Sequence, residues 1–158
     1  MSAAGHATWF VALTETTRSQ LERGVCTSLL VALSGGRHLI SDFDIHTTLL
    51  VLDRGGLLGV FHSVFTDRND VQASDPLYMR RISRESAIRR NDRCIYADSR
   101  PGPLVAAKVF GWTGCLIART ATIANRAHVG CGGVWYDSRF SSLRRALRHY
   151  IFGDTTKK

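Results

Sequence analysis

Two aspartates separated by one residue, Asp42 and Asp44, shortly follow the glycine pair Gly35-Gly36 and carry the most reactive pattern in the chain. Alternate side chains of a β-strand point to the same face, so a strand here would place both carboxylates together. Paired carboxylates can bind Mg²⁺, with phosphate oxygens and water completing its coordination. A glycine pair lets the backbone approach those phosphates closely. The spacing therefore predicts a magnesium site for a nucleotide, and a loop with two solvated aspartates is the alternative.

The balance of charge indicates the kind of partner. The 158 residues include 21 lysines and arginines against 13 acidic residues, a net charge of +8 at pH 7. Arginine, which dominates this charge, suits bidentate phosphate contacts and stacking on bases, so RNA is the leading partner. An acidic protein or an anionic membrane surface is also consistent with the charge. Two groups of arginines are predicted to contact RNA, the first Arg80, Arg81 and Arg84 and the second Arg144, Arg145 and Arg148. The alternative is that both groups are solvated faces.

Cysteine usage and hydropathy bear on location. Cys26, Cys94, Cys115 and Cys131 are widely spaced and form no C-x-x-C pair, which indicates reduced thiols in an intracellular protein. The first residues lack a basic stretch followed by a long apolar one, so we expect no secretory signal. No apolar run approaches the ~20 residues that a transmembrane helix needs. We expect a soluble, cytoplasmic protein that does not engage a membrane.

A cysteine between glycines, Gly130-Cys131-Gly132-Gly133, raises a different possibility. It resembles the nucleophile turn of chymotrypsin-like viral cysteine proteases, whose freed N–H groups form an oxyanion hole. His38 or His46 with Asp67 would supply the base and the orienting acid. A cysteine hydrolase that uses Cys131 is therefore one functional hypothesis, and a glycine turn with a buried thiol is its alternative.

The pattern along the chain predicts an α+β fold. A strand over Asp42 to Leu52, a hairpin turn at Asp53 to Gly56 and a returning strand over Leu57 to Phe65 would form its centre. We expect a small mixed β-sheet with helices packed on one side, in a single domain over 1–153 with a disordered tail over 154–158. The other predicted segments are a lead-in over 1–13, a helix from Thr17 to Arg23, a strand (or helix) over Thr27 to Leu33, a helix beginning near Ser83, a strand over Cys94 to Ala97, a helical stretch over Cys115 to Ala127 and a basic helix over Ser138 to Tyr150.

Three segments together resemble a known family. Gly35-Gly36-Arg37-His38, followed by Asp42-Phe43-Asp44-Ile45-His46-Thr47, is similar to the signature of class II tRNA nucleotidyltransferases, the CCA-adding enzymes and bacterial poly(A) polymerases. The stretch from Arg89 to Ala97 resembles the family's segment that positions the incoming nucleotide. Leu143 to Arg148 resembles the start of its neck helix. The likeness covers roughly residues 20 to 150.

This resemblance implies a nucleotidyltransferase-like fold that adds nucleotides to RNA 3′ ends in tRNA processing. Asp42 and Asp44 would be catalytic and hold Mg²⁺, and a nucleoside triphosphate would be a second substrate beside RNA. The residues that would bind the nucleotide are Gly35, Gly36, Arg37, Arg89, Arg90 and Asp92. The alternative is a non-catalytic, basic RNA-binding protein or ribonucleoprotein component that kept the fold without the chemistry. Its expected partners are RNA and either a ribonucleoprotein or further copies of itself in a homo-oligomer.

Overall fold

One parallel sheet organises the computed structural model, which describes residues 7–66, 70–89, 91–118 and 136–153. Its strands lie in the order β3-β2-β1-β4-β5-β6, and every neighbouring pair is parallel. This is the order of a doubly wound α/β sheet. The strands are β1 Thr8–Leu13, β2 Arg37–Ser41, β3 Ser63–Phe65, β4 Cys94–Asp98, β5 Thr113–Ile117 and β6 Ser138–Phe140.

Helices cover both faces of this sheet. Trp9, Val11 and Leu13 of β1 point to one face, whereas Phe10 and Ala12 alternate to the other. Helices α1, α2, α3 and α7 pack on the first face, and α5 and α6 pack on the second. The described helices are α1 Arg18–Glu22, α2 Thr27–Val31, α3 Ile45–Arg54, α4 Asp70–Ala73, α5 Pro76–Glu85, α6 Pro101–Val109 and α7 Leu143–Phe152.

The observed sheet differs from the predicted one in its strand directions, in its helix layers and in its central strand. The sheet is parallel rather than mixed, and its helices lie on both sides rather than one. Residues 8–13, predicted as part of a lead-in, form the central strand β1, of which all six residues are buried. A strand covered on both faces is a continuous apolar run without alternation, which is why the sequence pattern did not reveal it.

The predicted hairpin is also wrong. The segment from Ile45 to Arg54 is the helix α3, which buries Thr48, Val51 and Leu52 at helical spacing. Of the predicted returning strand only Ser63–Phe65 is extended, and it pairs in parallel with β2. The apolar residues of this segment match a period of two as well as one of 3.6, and the helix prevails because Asp44 caps it.

Other predicted elements fare unevenly. The helix after Thr17 and the strand over Cys94 to Ala97 are confirmed as α1 and β4. The basic amphipathic helix near the end forms as α7 but begins at Leu143, since Ser138–Phe140 is strand β6. The helix predicted to begin near Ser83 begins at Pro76 instead. The strand over Thr27 to Leu33 is wrong, since the alternative helix forms. The helical stretch predicted from Cys115 is wrong at its start, because Cys115 to Ile117 belong to strand β5. The predicted tail over 154–158 lies outside the described residues. None of the helices in the described ranges has the length and apolar character needed to cross a membrane.

Candidate active site at the carboxyl edge of the sheet

The strand order places a switch point at the carboxyl edge of the sheet, where we expect a crevice. After β1 the chain builds β2 and β3 on one side, and β4, β5 and β6 lie on the other. The segments that leave β1 and β4 therefore diverge, and such switch points are where open α/β sheets bind ligands. Thr14 follows β1, Asp42 follows β2, and Ser99 and Arg100 follow β4. These residues line the candidate site.

Hydroxyl groups join the two sides of the crevice. Thr14 Oγ1 lies 2.9 Å from Ser99 Oγ, so the end of β1 is hydrogen-bonded to the end of β4. The turn after β1 is fixed by Thr17, whose hydroxyl donates to the Ala12 carbonyl at 2.6 Å and accepts from Thr14 N–H at 3.0 Å. Threonine hydroxyls thus bond the backbone locally and set the floor of the site.

Asp98, the last residue of β4, is a fully buried carboxylate. Its Oδ2 accepts from the Tyr96 hydroxyl at 3.0 Å, and its Oδ1 accepts from the backbone N–H groups of Ser99 at 2.6 Å and Arg100 at 3.2 Å. A buried carboxylate is tolerated only with such compensation. Asp98 therefore fixes the course of the chain into α6 and the position of Arg100.

The Arg100 guanidinium bridges the crevice. Its Nη2 donates to Asp42 Oδ1 at 2.9 Å, and its Nε lies 3.5 Å from Asp98 Oδ1. Asp42 is itself held beside β1, because its backbone N–H donates to the Leu13 carbonyl at 3.0 Å. The side chains of Arg100 and Asp42 are 25% and 22% exposed, so a ligand in the crevice can reach both.

This arrangement does not fit a divalent cation between the carboxylates of Asp42 and Asp98. The positive group that lies against Asp42 and Asp98 is a guanidinium, and a metal there would have to displace it. In the part of the chain that the structure describes, no group of three His, Cys, Asp or Glu side chains is placed to hold a metal ion. The Mg²⁺ predicted on Asp42 and Asp44 stays a prediction.

Asp44 has a structural task of its own. It is the N-cap of α3, and its Oδ1 accepts from the Thr47 N–H at 2.7 Å. This hydrogen bond holds the pKa of the Asp44 carboxyl below its usual value. The strand that was to place Asp42 and Asp44 on one face is absent, because the helix begins at Ile45. A catalytic role for either aspartate is a prediction that this geometry leaves open.

The residues predicted to bind a nucleotide lie at the other edge of the sheet. Gly35 and Gly36 precede β2, and Arg89 and Asp92 precede β4. Arg37 donates to the carbonyls of Leu33 at 2.8 Å and Val60 at 2.9 Å, which ties two loops together. A five-residue strand is about 16 Å long, so this group cannot share a site with Asp42. Arg90 lies outside the described residues.

The two groups of arginines predicted to bind RNA are also apart. Arg80, Arg81 and Arg84 are exposed on α5, and Arg144, Arg145 and Arg148 are exposed on α7. These helices pack on opposite faces of the sheet, so the two groups form no continuous surface. RNA contact by either group stays a prediction.

The thiols of the described residues are poorly suited to nucleophilic chemistry. Cys26, Cys94 and Cys115 are buried, and burial raises the pKa of each thiol to about 12. Such thiols are protonated at neutral pH, and the thiolate is the reactive form. Cys131 and the glycines around it lie outside the described residues.

Thr14, Asp98 and Arg100 were not among the predicted site residues. Thr14 directly follows the apolar run of β1, and Asp98 ends the apolar run of β4. A polar residue at the end of a buried strand was thus the available signal. It became usable only with the strand order, since that order makes these two ends neighbours.

Comparison with known proteins shows what the fold resembles. No protein-family model matches the sequence, and no curated protein matches it. Among solved structures, an L-2-haloacid dehalogenase from Xanthobacter autotrophicus with chloropropionic acid covalently bound has a TM-score of 0.60 at 15% identity, over 81% of this chain and 59% of its own. A haloacid dehalogenase-like protein of unknown function from Agrobacterium tumefaciens has a TM-score of 0.58 at 14% identity, over 81% of this chain and 61% of its own.

A third similar structure is smaller. The core domain of a provisionally named phosphoglycolate phosphatase from Streptococcus pneumoniae has a TM-score of 0.54 at 13% identity, over 81% of this chain and 97% of its own. The fold is haloacid-dehalogenase-like. The chain spans about 60% of the length of the two dehalogenase-like structures, and identities this low establish the fold alone.

The fold corrects the resemblance drawn from the sequence. A doubly wound parallel sheet like that of the dehalogenases is not the head domain of a class II tRNA nucleotidyltransferase. The motif pieces that suggested that family occur in its order along the chain but lie at opposite edges of the sheet. RNA-directed nucleotidyl transfer and a role in tRNA processing are therefore wrong, and neither the RNA-binding alternative nor the cysteine hydrolase gains support.

Proposed function

We propose that this protein is a small hydrolase that removes a leaving group, such as a halide, from a short organic acid at the crevice after β1 and β4. One observation carries the proposal: the partly exposed Asp42 carboxylate is held by Arg100 at the switch point of a haloacid-dehalogenase-like fold. The similar dehalogenase with covalently bound chloropropionic acid supports a covalent route.

Asp42 is the nucleophile of this route. A carboxylate oxygen of Asp42 attacks the carbon that bears the halogen, forming an ester bond while the halide leaves with the bonding electron pair. Water then attacks the carbonyl carbon of the ester. This step restores the Asp42 carboxylate and releases a hydroxy acid and a proton.

The neighbouring side chains position the reactants. Arg100 holds Asp42 in the ion pair, and its planar fork of N–H donors suits the carboxylate of the incoming acid. The fully buried Asp98 accepts a hydrogen bond from the Arg100 backbone N–H and so keeps the Arg100 backbone in place. Thr14 and Ser99 offer hydroxyl groups at the floor of the crevice, where the leaving group would be solvated.

Phosphate monoester hydrolysis is the second candidate. The observation that favours it is that the chain matches 97% of the core domain of the provisionally named phosphatase, against about 60% of the dehalogenase-like structures. Phosphoryl transfer normally relies on metal ions to neutralise charge on the transferred group, and the carboxylates here hold a guanidinium instead. The side-chain arrangement therefore favours the organic acid. We expect the protein to act in the cytoplasm, where its buried thiols would stay reduced.

Halide release from 2-chloropropionate and 2-bromopropionate tests this proposal, with p-nitrophenyl phosphate as the competing substrate. We expect Asp42→Asn to reduce halide release at least a thousandfold and Arg100→Lys to reduce it about a hundredfold, magnitudes typical for a nucleophile and an orienting group. The control Asp53→Asn removes an equivalent carboxylate from the exposed end of α3 and should keep full activity.

A single turnover in water labelled with heavy oxygen identifies the nucleophile. Attack by Asp42 leaves the label in the aspartate and unlabelled oxygen in the product, whereas direct attack by water labels the product. Turnover of the phosphate ester alone, dependent on Mg²⁺ and abolished by a chelator, would replace the first candidate by the second. A folded protein that turns over neither substrate would refute both.

A further inference from the structure

A second cavity lies at the amino edge of the sheet, where neither the proposed chemistry nor the dehalogenase likeness gives it a role. It has a volume of about 440 Å³, within the range of small-molecule sites. Asp92 lies just before β4 and Trp112 just before β5, so the cavity opens at the ends of these strands that are farthest from Asp98. One strand length, about 16 Å, separates the two sites.

One wall of this cavity is aromatic and held rigidly. The ring of Phe110 packs edge-to-face against Trp112, with 5.4 Å between centroids. Trp112 stacks in turn on Phe10 of the central strand at 4.5 Å and an interplanar angle of 10°. Ile88 adds an aliphatic surface beside these rings. A wall of this kind suits a flat aromatic ring, because the π-face of such a ring stacks on aromatic side chains.

The other wall carries polar groups with complementary charges. Asp92 Oδ2 accepts from the Arg89 backbone N–H at 2.8 Å, and the Asp92 N–H donates to the Arg89 carbonyl at 3.0 Å. This turn holds the two side chains at the cavity mouth. Among the described residues, neither the Arg89 guanidinium nor the Ser83 hydroxyl makes a hydrogen bond or ion pair of its own. The lining that the structure describes thus offers one cation, one carboxylate and one hydroxyl.

We infer that this cavity binds a nucleoside monophosphate whose base bears an amino group. The base packs on the partly exposed ring of Phe110, which the buried Trp112 supports from the core side. The Asp92 carboxylate accepts from the exocyclic amine, and Arg89 binds the phosphate. A guanidinium matches phosphate bidentately. Within the described lining, a single arginine opposed by a carboxylate matches the small charge of a monophosphate better than that of a triphosphate. This inference is independent of the hydrolase proposal.

Isothermal titration with adenosine monophosphate tests the inference. We expect saturable binding that weakens at least tenfold in Arg89→Gln, since the phosphate loses its charged partner. The control Arg23→Gln removes an exposed arginine at the end of α1 and should leave the affinity unchanged. Thermal melts of both variants confirm folding.

Base selection gives the sharper readout. Purine riboside monophosphate lacks the amino group, so it offers the Asp92 carboxylate no donor at that position. Wild type should therefore prefer adenosine monophosphate by at least tenfold, and Asp92→Asn, whose neutral amide oxygen is a weaker acceptor, should reduce that preference. The control Asp53→Asn should keep it. No binding at millimolar concentration, equal affinity for inorganic phosphate alone, or an unchanged affinity in Arg89→Gln would overturn the inference.

Discussion

At the scale of single residues, His38 couples folding to pH. His38 is 4% exposed, and its ring stacks on Phe10 with 5.0 Å between the ring centroids. Burial, with a smaller contribution from the neighbouring His62, lowers the pKa of His38 from 6.5 to about 4. The folded state therefore binds fewer protons than the unfolded state between these two values. The stability that the neutral ring contributes is complete above pH 6.5 and is lost as the pH falls to about 4.

Urea unfolding of wild type and His38→Phe, measured between pH 7 and pH 4, checks this prediction. The difference in free energy of unfolding between the two proteins should shift by up to about 3 kcal/mol against wild type across that range. The phenyl ring keeps the stack on Phe10 but cannot take up a proton. A difference that is constant with pH would mean that His38 titrates normally or moves out to solvent when protonated.

At the scale of elements, the contact between α1 and α3 depends on Gly55, which ends α3. A Cβ at this position would collide with the backbone carbonyl oxygen of Leu21, and the Gly55 carbonyl accepts from the Thr27 hydroxyl at 2.6 Å. The φ of −82° at Gly55 is one that any residue adopts, so the contact rather than the backbone requires glycine. Gly55→Ala should therefore force α1 and α3 apart.

We expect Gly55→Ala to lower the free energy of unfolding by about 3 kcal/mol, the upper end for overpacking, because a backbone carbonyl cannot rotate away. The matched control is Gly56→Ala. Gly56 has a φ of +68°, but the space around its Cβ position is open. Its substitution should therefore cost only about 1–2 kcal/mol, the penalty for a residue with a Cβ in the left-handed conformation. Chemical denaturation of both variants compares them, and an equal loss in the two would show that α1 gives way easily.

The elements also show where sequence reasoning succeeds and fails. Helix α7 was predictable because its apolar and basic residues alternate with helical period, and β4 because a short apolar run precedes a polar turn. Strand β1 was missed because both of its faces are buried, and α3 because its residues also match a strand. Asp42 could be proposed as a site residue from its local pattern, and this role stays a prediction. Arg100 could not be, because its pairing with Asp42 joins residues 58 positions apart and depends on strand order.

At the scale of the whole molecule, the two apolar clusters should unfold as one. They lie on opposite faces of the sheet, yet β1 and β4 contribute to both: Trp9 and Ile95 belong to one cluster, and Phe10 and Tyr96 to the other. Neither cluster can lose its helices without exposing strands that the other cluster needs. This sharing of strands favours a single folding unit for the described residues, and the single domain over residues 1–153 stays a prediction.

Native-state hydrogen exchange with Ile82→Ala measures this coupling. Ile82 is fully buried on α5, so truncating it should cost about 2–5 kcal/mol. If the molecule unfolds as a unit, the amides of α7, on the opposite face, should lose as much protection as those of α5. Leu77→Ala on the same helix removes a side chain that is 68% exposed and should change neither. Loss of protection confined to α5 would instead mean that the helices on this face open independently, and that the sheet with α1, α2, α3 and α7 is the stable unit of the fold.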